Sequence, residues 1–267
     1  MYHIWQKRKK THKSTPSLLI DNTQHILALI AVVLVVVWVH RDAMGGGGLS
    51  WDKGSKLVFN WHPVMMTIAY AFMTLASLTF RMKCFAYNRS ILKLIHGVKW
   101  TVAAVCGAVG LTAVFQPHND AIPPIANLYS LHSWIGVVTI LLYLIQFSSG
   151  TLFFGFSILS SLQQRAILMT FHRYLGPCIY IITGTTILLG IQEKEGFIGC
   201  SYQVTTPDYN PLVHYFDIPL ACRISHGLGL VVLLMMISTT FALYQPYQFE
   251  GQRSRIKWCQ KKKHFFF

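Results

Sequence analysis

SLHSWIGVVTILLYLIQFSSGTLFF, residues 130–154, contains no Asp, Glu, Lys or Arg. A helix needs about 20 apolar residues to cross a bilayer, and this run is long enough. Near one end it carries His132, with Gly136 four residues on and therefore on the same helical face. An ionisable side chain inside a span is costly and marks a functional position by default.

Five more apolar stretches lie at 23–41, 57–80, 94–115, 167–190 and 223–245. Six spans predict an all-α membrane protein, with a basic leader at 1–22, one helical domain at 23–245 and a basic tail at 246–267. Composition agrees: 53% of the 267 residues are hydrophobic and 12% charged, about half the usual charged fraction of a soluble domain. Collagen-like, disordered, coiled-coil and disulfide-scaffold classes are excluded on the same grounds. The first span is the weakest, because Gln24 and His25 stand at its edge. No small-x-small cleavage site follows it, so a retained helix is expected rather than a signal peptide.

The formal charge of +14 sits at the chain ends and in short loops, which reads as topology rather than nucleic-acid binding. With both termini cytoplasmic, sixteen basic residues fall inside, among them Arg81, Arg89, Lys93 and Arg165. Five fall outside: Arg41, Lys53, Lys56, Lys194 and Arg223. That asymmetry obeys the positive-inside rule. Cys200 and Cys222 then both face the outer compartment, where a disulfide between them can persist. Cys84 and Cys259 face the cytoplasm, and Cys106 and Cys178 are expected to be small packing residues within spans.

Four histidines fall at two depths. His62 and His132 lie near the outer ends of the second and fourth spans, and His96 and His172 near the inner ends of the third and fifth. The levels are expected about 15–22 Å apart along the helices. Two neutral imidazoles on facing helices can clamp a flat macrocycle from both sides, which suits electron transfer rather than oxygen binding. Gly136 and Gly176, each four residues after a histidine, and Gly97, next to His96, are expected to make room. A metal or proton path is the rival use of such histidines, but the spans lack acidic partners for it. His226 lies at about the depth of His62 and His132, and spacing alone does not say which two of these three pair.

FNWHPVMM at 59–66, KLIHG at 93–97, IANLYSLHSWIG at 125–136 and FHRYLG at 171–176 occur in the order found in one family. The chain resembles the cytochrome b561 family of transmembrane ascorbate-dependent oxidoreductases over about residues 35–245, with the look of its duodenal ferric-reductase branch. The resemblance implies two b haems in a core four-helix bundle of helices two to five. It pairs His62 with His132 at the outer haem and His96 with His172 at the inner one. It implies a cytosolic ascorbate site at Arg89, Lys93 and Arg165, with Arg89 standing where relatives carry lysine. Arg81 would pair with an inner-haem propionate, and Lys99, one turn past His96, could do similar work. Asn127, Tyr129, Ser130 and Glu193 would surround the outer haem. Phe115, His118 and Asn119, in a loop at 115–127 that Ile122-Pro123-Pro124 lengthens by two residues, would form the outer acceptor site.

These expectations describe an oxidoreductase passing one electron at a time from ascorbate through the two haems to an outer acceptor. The third loop has no basic residue and one acid, which suits ferric iron better than the anion monodehydroascorbate. Monodehydroascorbate is the alternative acceptor, and a haem-free metal or proton transporter the alternative class. A homodimer in a plasma, endolysosomal or secretory-vesicle membrane is the family expectation.

Overall fold

The computed structural model describes residues 15–41, 47–81, 88–156, 161–200, 215 and 218–244, with side chains from residue 22 onward except that of Arg81. Residues 1–14 of the basic leader, the tail, Lys83, Cys84 and Cys259, and the side chain of Arg81 as a haem contact, therefore lie outside the described residues, while residues 15–22, expected in the leader, are already helical. All regular structure among the described residues is helical: α1 (Thr15–His40), α2 (Trp61–Ser77), α3 (Arg89–Asp120), α4 (Leu131–Gly150), α5 (Leu162–Phe197) and α6 (Leu220–Tyr244).

Five of these helices are long and apolar enough to cross a membrane: α1, α3, α4 with a following π turn at Thr151–Gly155, α5 and α6. The stretch expected at 57–80 is instead three pieces, the 17-residue α2 between 3₁₀ turns at Lys56–Asn60 and Thr79–Arg81. Pro63 explains the break. Its ring clashes with the carbonyl four residues back in a helix interior but is tolerated in a first turn, so the α-helix begins at Trp61. The third and fifth helices run past the expected limits, α3 through 32 residues and α5 through 36.

Side-chain caps set where three helices start. Asn88 accepts from the backbone N–H groups of Ser90 and Ile91, Ser130 from Ser133, and Ser161 forms a capping box with Gln164. These starts fix the turn on which His96, His132 and His172 fall. Helix α2 packs along α3, α4 along α5, and α1 along α6. The α2/α3 and α4/α5 pairs meet mainly where α2 touches α5. Between α3 and α4 the Tyr143 hydroxyl donates to the Trp100 carbonyl at 2.5 Å.

A polar network fastens α1 and α6 to that core. Gln24 is fully buried and donates to the Ser238 hydroxyl at 2.6 Å, while Thr239 donates to its amide oxygen at 3.0 Å. The glutamine that weakens the first span as an apolar segment is thus the group that binds it to α6. Tyr180 carries the network on, bonding Thr239 at 3.3 Å and Thr74 of α2 at 2.8 Å, and its ring stacks on Tyr70 at 4.7 Å. Of the two cysteines expected to pack, Cys106 leans on the core, but Cys178 is exposed on the outward side of α5.

Gly184 makes the tyrosine stack possible. A Cβ there would lie 2.6 Å from the Tyr70 hydroxyl oxygen and 2.9 Å from the Met236 sulfur. Overpacking of this kind costs about 1–3 kcal/mol. Gly184→Ala is expected to lower the thermal unfolding midpoint in detergent, and Tyr70→Phe in the same chain to recover part of the loss. No recovery would mean that the Met236 contact dominates.

Candidate functional site: two histidine pairs joined by a reciprocal ladder

The structure brings together the same pairs that the resemblance implies. The rings of His62 and His132 lie 6.1 Å apart between centroids at 83°, and those of His96 and His172 lie 6.4 Å apart at 65°. His226 belongs to neither pair. Its Nε2 lies 3.7 Å from the Glu195 carboxylate, and that carboxylate accepts from Ser225 at 2.5 Å.

Each histidine is held through Nδ1 by the helix beside it. His62 donates to the Gly110 carbonyl of α3, His96 to the Ala76 carbonyl of α2, and His132 to the Thr186 carbonyl of α5, each at 2.9 Å. His172 Nδ1 meets the Gln146 side-chain nitrogen of α4, also at 2.9 Å. The four contacts share one spacing. Ala76 lies 14 residues after His62, Gly110 after His96, Gln146 after His132 and Thr186 after His172. Every helix of the four therefore carries one histidine at one level and, about four turns away, the partner of its neighbour's histidine at the other level. Fourteen residues put the levels about 21 Å apart along the helices.

A carbonyl can only accept, so three of the rings carry their proton on Nδ1 and leave the Nε2 lone pair free. Nδ1 held by a backbone carbonyl, with Nε2 open, is the usual dress of a metal-ligating histidine. No group of three or more His, Cys, Asp or Glu side chains converges as a metal site among the described residues. Each pair thus offers two nitrogens, fewer than the four donors of a closed tetrahedral ion. Two nitrogens fit a haem iron, whose macrocycle supplies the other ligands. The space fits too: a Cβ on Gly97 or Gly107 of α3 would meet nothing within 4 Å.

The glycines closest to the rings differ from Gly136 and Gly176, which the sequence suggests as room for a macrocycle. Gly136 and Gly176 lie in ordinary contact with Thr186 and Gln146 across the α4/α5 seam. The close approaches are at Gly190, where a Cβ would stand 2.7 Å from the His132 ring, and at Gly150, where it would stand 3.5 Å from the His172 ring. At Gly110 a Cβ would press on Met66 and Met65 at 3.1 and 3.3 Å. HxxxG spacing finds glycines on the histidine's own helix, whereas the ring rests on the neighbouring one.

At the His96/His172 level Phe80 lies 5.2 Å from His96 and Phe154 lies 5.4 Å from His172. Lys93 donates to the Phe154 carbonyl at 3.4 Å, linking α3 to the π turn. Arg165 keeps a buried Nε with no hydrogen-bond partner, and Arg89 is exposed in the first turn of α3. Lys99 turns inward, donating to the Leu75 carbonyl and the Thr79 hydroxyl at 3.0 and 3.2 Å. It caps the carbonyl end of α2, where a cation is favoured.

At the His62/His132 level, α3 continues through Asp120, so Phe115, His118 and Asn119 stand on its last turns and not in the expected loop. His118 Nδ1 donates to the Asn127 side-chain oxygen at 3.2 Å, and Asn127 donates to Asn119 at 2.9 Å. The His118 and Tyr129 rings lie 6.4 Å apart, and Phe115 is exposed one turn earlier. Tyr129 hydrogen-bonds Glu193; partial burial and that carboxylate push its phenol well up, so it stays protonated. The second Glu193 oxygen is buried with no partner. Ser130 is spent on capping α4 and on a 2.9 Å contact with Ser133. Lys194, expected as a surface cation, is buried: it donates to Asn60 at 3.0 Å and lies over the Trp38 and Phe59 rings. Cys200 and Cys222 form a disulfide that ties the end of α5 to the start of α6.

A helical bundle with two stacked pairs of inward histidines, three of them held through Nδ1 by a carbonyl, has the make-up of a membrane electron carrier of the b-cytochrome type. The family model of eukaryotic cytochrome b561 matches residues 61–198, just over half the chain. The chain is 38% identical over 178 residues to a probable ascorbate-specific transmembrane electron transporter of Oryza sativa, covering 66% of this chain and 73% of that protein. It is 33% identical over 203 residues to a lysosomal membrane ascorbate-dependent ferrireductase of Mus musculus, covering 74% and 77%. A plasma membrane ascorbate-dependent reductase of Rattus norvegicus matches at 32% over 215 residues, covering 78% and 68%. This chain belongs to the cytochrome b561 family. Membership implies haem b, which the paired histidines fit.

Gly190 gives a test that leaves all four histidines in place. Gly190→Ala is expected to push the His132 ring aside and to halve the haem content per chain in a pyridine haemochrome assay, as His132→Ala does. Full haem content in Gly190→Ala would show that the ring does not need this approach.

Proposed function

We propose that this chain moves electrons across a membrane from cytosolic ascorbate to ferric iron on the opposite side. The observation that carries this is the pair of histidine levels about 21 Å apart on four shared helices. In this reading α2 completes six spans, both termini are cytoplasmic, and His96 with His172 form the inner level. Those four histidines hold two b haems, which when bound supply one-electron carriers that change little on reduction.

The protein's own residues do the remaining work. Lys93 and Arg165, with Arg89 on the first turn of α3, present cations and donors to an ascorbate anion at the inner end. The unpartnered buried Nε of Arg165 supports that role, because a guanidinium nitrogen without an acceptor in the free protein is ready for one in the complex. Packed apolar helices between the levels keep water out. At the outer end His118, held by Asn127, offers an imidazole to a metal cation. Glu193 adds a carboxylate whose second oxygen is unpartnered, and no basic residue stands in the sequence from Phe115 to Asn127. That charge pattern favours a cationic acceptor over monodehydroascorbate.

Relatives named for ferrireduction and for ascorbate-specific electron transport match at similar identity, so the acceptor rests on this site alone. The test is anaerobic: ascorbate is added to the purified protein, then a ferric chelate, while the haem absorbance is followed. Ascorbate should reduce the protein and ferric chelate should rapidly reoxidise it. His118→Ala should slow only the second step. Arg165→Ala should raise the ascorbate concentration needed by about tenfold, the worth of one charge-assisted hydrogen bond. Reoxidation by monodehydroascorbate but not by iron would replace the acceptor, and a colourless protein would restore the transporter reading.

A further inference from the structure

Glu195 and His226 take no part in either histidine pair and meet where α5 ends and α6 begins. His226 Nε2 stands 3.7 Å from a Glu195 carboxylate oxygen. That is too long for a hydrogen bond. It suits two donors on one metal ion: an ion about 2.1 Å from each would see them about 120° apart, between tetrahedral and trigonal. Both side chains reach solvent, at 40% and 19% exposure, so an ion can enter and keep water as its remaining ligands. The Ser225 hydroxyl donates to the same carboxylate oxygen at 2.5 Å and orients it. Cys200, five residues after Glu195, is bonded to Cys222, which lies four residues before His226 on the same helical face. The disulfide therefore staples the two turns that carry the pair, and the Cys200 N–H donates to the Glu195 carbonyl at 2.9 Å. Tyr215 lies alongside, its ring 6.1 Å from the imidazole.

We infer that Glu195 and His226 bind a divalent transition-metal cation at a site separate from that of His118 and Glu193. Glu195 is two residues past Glu193, about 200° further round α5, so it meets Ser225 of α6 while Glu193 meets Tyr129. One imidazole with one carboxylate suits zinc or ferrous iron, whereas calcium and magnesium take all-oxygen shells. Two protein donors make an open site. The staple holds them at their spacing before an ion arrives, which lowers the ordering cost of binding. In the function proposed above both residues face the outer compartment, and the ferrous product released there is an ion of this class. Zinc binding and haem content are measured separately, so failure of this site and failure of the haem reading are distinguishable.

The first test needs no substitution. Diethyl pyrocarbonate is applied to the purified, tag-free protein over a zinc titration, and modification of each histidine is read by peptide mass spectrometry. Zinc at about ten times the titration midpoint should lower His226 labelling about tenfold, and calcium at the same concentration should leave it unchanged. Glu195→Gln keeps an acceptor for Ser225 and removes the charge. It should move the midpoint for His226 about tenfold or more to higher zinc, with an unchanged haem spectrum as the check on folding. His118→Ala should leave that midpoint where it is. His226 labelling that zinc does not lower would overturn the site, and in that case the pair is an ordinary His–Glu contact. Equal protection by calcium would overturn the class of ion. A midpoint unmoved in Glu195→Gln, or protection abolished in His118→Ala, would overturn the pairing and place the ion elsewhere.

Discussion

One constraint orders this bundle: an imidazole inside a membrane must have its second nitrogen held. His62, His96 and His132 each spend Nδ1 on a carbonyl of the adjacent helix. Because the partner lies on a helix that carries a histidine of the other level, the restraint runs both ways. A one-residue slip of α3 against α2 would break the contacts of His62 and His96 together. The same holds for α4 and α5 with His132 and His172. The glycines follow from this, since a carbonyl can meet a ring from the next helix only where the backbones come close. Gly110 and Gly190 lie at such approaches.

The remaining buried charges fall into two kinds, separated by their partners. Lys99, which the resemblance offers as a haem contact, and Lys194, which the sequence gives only as an outer basic residue, are each bound by neutral groups where they stand. Lys99 is bound by the carbonyl end of α2 and the Thr79 hydroxyl; Lys194 is bound by Asn60 and two aromatic faces. These are structural ammonium groups whose desolvation is offset by fixed acceptors. The Nε of Arg165 and one oxygen of Glu193 are buried and have no such partner. They sit near opposite histidine levels, a cation near one and an anion near the other. In the function proposed above, that polarity sets a cation toward ascorbate and a carboxylate toward ferric iron.

Much of this was legible in the residues. Apolar runs and basic-residue asymmetry are local signals, and the helices stand close to where those runs lie. The depth of each histidine could be read from its distance to the end of its span, and depth alone limited the pairing to a few choices. The Cys200–Cys222 bridge, which the sequence left as an open possibility, is formed. What could not be read has a common cause. Gln24, Lys194 and Gln146 are polar residues whose partners lie on other helices, and nothing near them in sequence names those partners. Gly190 lies 58 positions from His132, the ring it accommodates. The end of α3 was missed because the apolar run stops at Phe115, whereas the helix passes Pro117 and continues to Asp120. One signal was overlooked: the 14-residue interval recurs from each histidine, and a helix that brackets two levels must place something polar or close-packed at that interval.

The most direct test is the electron paramagnetic resonance spectrum of the fully oxidised, purified protein. Two bis-histidine centres predict two distinct low-spin ferric signals that integrate to two spins per chain, with no high-spin iron. A high-spin signal, or fewer than two low-spin centres, would contradict the assignment of the four histidines.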